Sequence, residues 1–147
     1  MAVRLGRWVA LAVVAVVIAI QVVPYGRQHS NPPVRAEPAW DSPQTRALAV
    51  RACFDCHSNE TTWPWYSNVA PVSWLLQRDV DEGRRELNYS EFDRPQREAR
   101  DSAESVQNGT MPPSFYTWLH SDATLSPAER DAFVRGLQAT FGGRGAR

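Results

Sequence analysis

The sequence predicts an all-α protein, and three observations carry that reading. Apolar residues recur at helical spacing in several segments, Pro sits just inside candidate helix starts, and no alternating apolar run is long enough for a strand. The chain has 147 residues with 16 Arg, no Lys and 16 acidic residues, so its formal charge is zero. That length suits one ordinary domain. A zero balance argues against holding nucleic acid through phosphate charge, which needs a basic surplus.

The zero is the sum of two parts. Residues 1–39 carry four Arg against Glu37, and residues 40–147 carry twelve Arg against fifteen acids. Between Arg7 and Arg27 lie 19 uncharged residues, and Trp8 to Val23 is apolar except for Gln21. At about 1.5 Å per residue this approaches the ~30 Å thickness of a hydrocarbon layer. Residues 1–23 therefore read as an uncleaved transmembrane helix with lipid as its partner. No pair of small residues follows to mark a signal-peptide cut. Arg4 and Arg7 predict an inside N-terminus, a single pass through the cytoplasmic membrane and an exported body. Residues 24–39, with Pro24, Pro32, Pro33 and Pro38, read as an extended tether, and residues 40–147 as the folded domain.

Within that domain, Asp41-Ser42-Pro43-Gln44 and Asp93-Arg94-Pro95-Gln96 share one form. In each, Asp is read as the N-cap, with Pro in the first turn and Gln three residues after the cap. The first predicted helix starts near Ser42 and runs to the cysteines. A second opens at Pro71, with Val72, Leu75, Leu76, Val80, Gly83 and Leu87 near the helical period. A third is expected from Pro95 to Gln107, stopped by Asn108-Gly109. The last begins with the box Ser126-Pro127-Ala128-Glu129 and spaces Phe133, Leu137 and Phe141 at i, i+4, i+8 before Gly142-Gly143.

The chemistry lies at the end of the first of these helices, in Cys53-Phe54-Asp55-Cys56-His57. The C-x-x-C-H spacing is that of c-type haem attachment. Two thiols about one turn apart meet the two vinyl groups, and the next residue, His57, falls under the iron as proximal ligand. Other uses of these residues are weaker. A thioredoxin-like pair needs a preceding strand, and a zinc site needs four ligands, so it would have to recruit His57 with His29 or His120.

A sixth iron position needs an account too. Met111 is the only methionine of residues 40–147, and it stands before Pro112-Pro113 in a loop that follows a helix stop. A thioether suits haem iron, and His/Met ligation raises the reduction potential. His120 is the rival distal ligand. Trp63, Trp65, Tyr66 and Trp74 are four large aromatics in twelve residues, read as packing against the haem plate. The carbonyl of Pro71 or Pro64 is a candidate acceptor for the His57 ring N–H.

The stretch from Cys53 through Trp63-Pro64-Trp65-Tyr66-Ser67, then Ala70-Pro71-Val72-Ser73-Trp74-Leu75 and Asp79-Val80-Asp81-Glu82-Gly83-Arg84, resembles the small bacterial haem-binding domain proteins. Met111-Pro112-Pro113 and the final capped helix complete a likeness over about residues 40–141. The order of helix, C-x-x-C-H, Met-Pro loop and C-terminal helix is also similar to class I cytochromes c. The tryptophan-rich segment departs from them. The resemblance implies a small cytochrome c-like helical domain around one covalent haem c, with Cys53, Cys56 and His57 as its haem site and Met111 as distal ligand.

The expected function is one-electron transfer with an unidentified redox protein as partner, by a carrier more than by a catalyst. Two alternatives stand beside it. One is a haem enzyme or small-ligand sensor with a displaceable distal ligand, and the other is a non-haem thiol or zinc module.

Overall fold

The computed structural model describes residues 2–142, and among them the ordered elements are helices. They are α1 (Ala2–Ile20), α2 (Pro43–Ala52), α3 (Phe54–His57), α4 (Val72–Glu86), α5 (Ser102–Gln107), α6 (Ser114–Leu119) and α7 (Pro127–Phe141), with short 3-10 turns at Trp65–Asn68 and Ser121–Ala123. The all-α expectation holds for the described residues, where a single isolated bridge, Ala36 with Glu91, replaces any strand. The chain divides into two compact units, Met1–His29 with Trp63–Asp79, and Ser30–Thr62 with Val80–Arg147.

The expected transmembrane helix is overturned. No helix among the described residues is long and apolar enough to cross a membrane, and the single-pass location in the cytoplasmic membrane falls with it. Length is the physical reason. Arg4 and Arg7 lie inside α1, and the helix ends at Ile20 instead of Val23. Only Trp8 to Ile20 is both helical and uncharged, 13 residues. At the helical rise that is about 20 Å against the ~30 Å required.

In the first unit the chain leaves α1 at Gln21, whose side chain makes a two-way amide pair with Ala70. Its Nε2 donates to the Ala70 carbonyl at 2.9 Å and its Oε1 accepts from the Ala70 N–H at 3.0 Å. Gly26 has φ +80, and a Cβ there would stand 2.3 Å from the Ser73 carbonyl oxygen, so this turn requires glycine. His29 stacks on Trp63 with ring centroids 4.6 Å apart.

The second unit holds the apolar core. Leu48, Ala49, Ala52 and Phe54 meet Ala103 and Val106 of α5 and Phe133, Leu137 and Phe141 of α7. Tyr89 is fully buried at its centre, stacked on Phe54 at 5.5 Å, on Phe141 at 6.3 Å and on Phe92 at 6.3 Å, with Trp40 tilted against it at 5.1 Å. Such aromatic pairs add about 0.5–1.5 kcal/mol each beyond the area they bury.

α7 begins with the expected capping box. The Ser126 hydroxyl accepts from the Glu129 N–H, and the Glu129 carboxylate accepts from the Ser126 N–H. α2 and α7 approach closely where Gly136 faces Thr45.

Two capping expectations change. The N-cap of α2 is Ser42, whose hydroxyl accepts from the Thr45 N–H, while the Asp41 N–H donates to the Thr140 hydroxyl. The helix expected from Pro95 starts only at Ser102. Asp93 forms an ion pair with Arg35 instead of capping. Gln96 accepts from the Asn88 N–H at 2.9 Å and donates to the Glu91 carbonyl at 2.8 Å, which holds this segment in turns.

Residues 30–39 belong to the second unit. They keep the extended form their prolines favour, and they are hydrogen-bonded along residues 90–92. Arg35 and Ala36 donate to the Ser90 carbonyl, and Phe92 donates to the Ala36 carbonyl at 2.9 Å.

Candidate functional site

The site starts where α2 stops. Cys53 leaves helical geometry at φ −130 and ψ −32, closing α2 through its N–H to the Ala49 carbonyl and opening the single turn α3. Its carbonyl accepts from the N–H of Cys56 at 3.2 Å and of His57 at 2.9 Å. One turn of backbone therefore gathers Cys53, Cys56 and His57, all half-buried. Neither thiol is in a disulfide. Cys53 packs against the core. Burial, then the neighbouring Cys56, pushes its thiol up to about 12, so it is a neutral S–H at pH 7.

His57 is held by α4. Its ring Nδ1 lies 3.0 Å from the Gly83 carbonyl oxygen and 3.0 Å from that of Leu87. Carbonyls only accept, so Nδ1 carries the proton and the lone pair belongs to Nε2. Burial moves the imidazole below its ordinary value, against the pull of these two carbonyls, and keeps it in the neutral form that ligates metals. The acceptors are thus Gly83 and Leu87, not Pro71 or Pro64. Leu87 lies just past the end of α4, where carbonyls lack helical partners.

The loop after His57 is fastened as firmly. Arg84 donates through Nε to the Ser58 carbonyl at 2.7 Å and through its terminal nitrogens to the Ser30 carbonyl, the Asn31 side-chain oxygen and the Thr61 hydroxyl. Asn59 accepts from the Asn88 side-chain amide at 2.9 Å, and its N–H donates to the Ser90 hydroxyl at 2.9 Å. Of these, Ser58, Asn59, Thr61, Asn88 and Ser90 are buried and paired, as a specific loop geometry requires.

Asp55, between the two cysteines, uses both carboxylate oxygens. Oδ1 accepts from the Thr62 N–H at 2.9 Å and Oδ2 from the Tyr116 hydroxyl at 2.6 Å. Tyr116 lies in α6, and His120 stacks on its ring at 4.2 Å with Nδ1 near the Tyr116 carbonyl.

Met111 is half-buried against the same core that Cys53 borders. Its N–H donates to the Ser105 carbonyl at 3.0 Å, just after Gly109 at φ +78. Trp63, Trp65, Tyr66 and Trp74 belong to the first unit, whereas Cys53, Cys56, His57, Met111 and His120 belong to the second. Trp65 is 80% exposed. The indole N–H of Trp74 is buried without a hydrogen-bond partner.

Arg84, Asp55 and Tyr116 carry no sequence signal of a site role, and Gly83 reads in the sequence only as part of a helical stripe. A glycine inside a helix was the available signal, since it costs about 1 kcal/mol there unless a neighbour needs the space.

These residues fit a haem: two unbridged thiols one turn apart and a neutral imidazole oriented through Nδ1. The rival uses of the motif lack support. Helix α2, not a strand, precedes Cys53, and no group of three or more His, Cys, Asp or Glu among the described residues gathers as a metal site. No curated protein and no solved structure matches the chain. The haem-binding domain family does match, over residues 15–139. That span covers most of the chain and contains both cysteines, His57 and Met111, so the chain belongs to the haem-binding domain family.

Proposed function

We propose that this protein carries one covalent haem c on Cys53 and Cys56, ligates its iron with His57 and Met111, and passes single electrons to and from a separate redox protein. The observation that carries the reading is the seat of His57, with Nδ1 3.0 Å from the Gly83 carbonyl of α4 and 3.0 Å from that of Leu87 just past its end. Such a second layer fixes a ligating imidazole's tautomer and orientation and raises its basicity. Cys53 and Cys56 would hold the haem through two thioethers, each S–H adding across one vinyl C=C so that all atoms are kept. Haem, when bound, supplies an iron that alternates between Fe(II) and Fe(III). The rigid loop behind Met111, fastened to Ser105, suits a carrier in which little moves between the two states.

The test is a pyridine haemochrome spectrum of the full chain produced with haem-attachment machinery. A thioether-type spectrum that survives acidic solvent extraction is expected, and extractable haem or none would overturn the covalent reading. Met111→Ala is expected to remove the Met-to-Fe(III) charge-transfer band and to open the reduced iron to CO. Fast, tight CO binding by the unaltered protein would favour a ligand sensor or enzyme instead.

A further inference from the structure

We infer that Asp55 and Tyr116 form a tuning pair for the haem iron, the carboxylate favouring Fe(III) and the phenol hydroxyl moderating that effect. The inference rests on the haem reading above and goes beyond it to two residues that neither attach haem nor ligate iron.

Asp55 stands two residues before His57 in α3, so its charge is carried by the same rigid turn as the proximal ligand. It cannot swing away, because Oδ1 is held by the Thr62 N–H at 2.9 Å and the Asp55 carbonyl by the Thr61 hydroxyl at 2.7 Å. Tyr116 makes the remaining carboxylate contact through its hydroxyl, at 2.6 Å, the short distance of a charge-assisted bond. Its ring is fixed by His120, stacked at 4.2 Å and 17°. Burial, then the bond to Asp55, pushes the Tyr116 phenol far above its ordinary value, so it donates at any working pH.

A fixed negative charge on the turn that carries the proximal ligand would stabilise the more positive oxidation state of a bound haem iron through the Coulomb field, even without contact. A hydrogen bond donated to that charge spreads it and weakens the preference. The two groups therefore act with opposite sign, which a role in packing alone would not produce.

The experiment is spectroelectrochemical titration of the haem-loaded full chain and its variants, with haem content and circular dichroism checked first. Asp55→Asn is expected to raise the midpoint potential, increasing the Fe(II)/Fe(III) ratio at a fixed applied potential by about tenfold, the scale of one partly screened unit charge. Tyr116→Phe is expected to lower the potential by a smaller amount. In the double variant the Tyr116→Phe effect should vanish, because the charge it modulates is gone. Loaded protein whose two single variants shift the same way, or not at all, would overturn the tuning pair and leave the haem reading standing. Chains that never take up haem would overturn both.

Discussion

Gly83 and Cys56 are in backbone contact: a Cβ on Gly83 would lie 2.4 Å from the Cys56 carbonyl oxygen and 3.1 Å from the Cys56 Cβ. Helix α4 thus presses on the haem-motif turn at a position whose own carbonyl also receives His57 Nδ1. Gly83→Ala gains about 1 kcal/mol of helix propensity. Overpacking against backbone costs about 1–3 kcal/mol and more where nothing can give. The expected outcome is a lower urea midpoint together with less haem per chain, and a variant with both unchanged would refute the contact's importance.

Arg84 joins the loop after His57 to Ser30 and Asn31. Arg84→Gln removes donors from the Ser58 and Ser30 carbonyls and should destabilise by about 2 kcal/mol, the scale of hydrogen bonds involving a charged group. Arg84→Lys should rescue little, because one ammonium cannot reproduce the planar fork. Hydrogen exchange at residues 58–61 is the measurement, with faster exchange expected in both variants.

Acid stability has a named contributor in Glu129. The Ser126 N–H, then the Ser126 hydroxyl and Arg51, hold its carboxyl at about 2 against an ordinary 4.5. A depressed folded value means that its contribution is complete above about 4.5 and disappears as the pH falls toward about 2. Glu129→Gln should flatten the fall in urea midpoint over that window, and an unchanged acid limb would count against it. Separately, Ser126→Ala should cost about 1 kcal/mol at neutral pH through loss of the cap.

Gly136 sets how closely α7 crosses α2. A Cβ there would stand 2.0 Å from the Thr45 hydroxyl and 2.9 Å from its Cβ. Gly136→Ala should destabilise by about 1–3 kcal/mol. Adding Thr45→Ala removes the hydroxyl and methyl but not the Cβ, so partial recovery is expected. Additive losses in the double variant would show that the two sites do not meet.

Local features of this protein are legible in residue order. C-x-x-C-H spaces two thiols and an imidazole so that one helical turn brings them together, and Ser126-Pro127-Ala128-Glu129 closes its box within four residues. The period of Val72 to Leu87 likewise marks α4, and Asn108-Gly109 its predicted stop for α5.

Features that depend on a distant partner are not. The acceptors of His57 are backbone carbonyls 26 and 30 residues away, and carbonyls carry no sequence signal. Asp93 and Gln96 have the composition of a helix start, yet Arg35, Asn88 and Glu91 compete for their side chains and win, so the helix begins at Ser102. The apolar run after Arg7 has nearly the length of a bilayer span, yet the helix ends at Ile20 and Gln21 turns back to Ala70. Spacing and capping chemistry act over one or two turns and can be read from residue order. Which donor meets which acceptor is a competition among groups far apart in the chain, resolved only when packing brings them within hydrogen-bond reach.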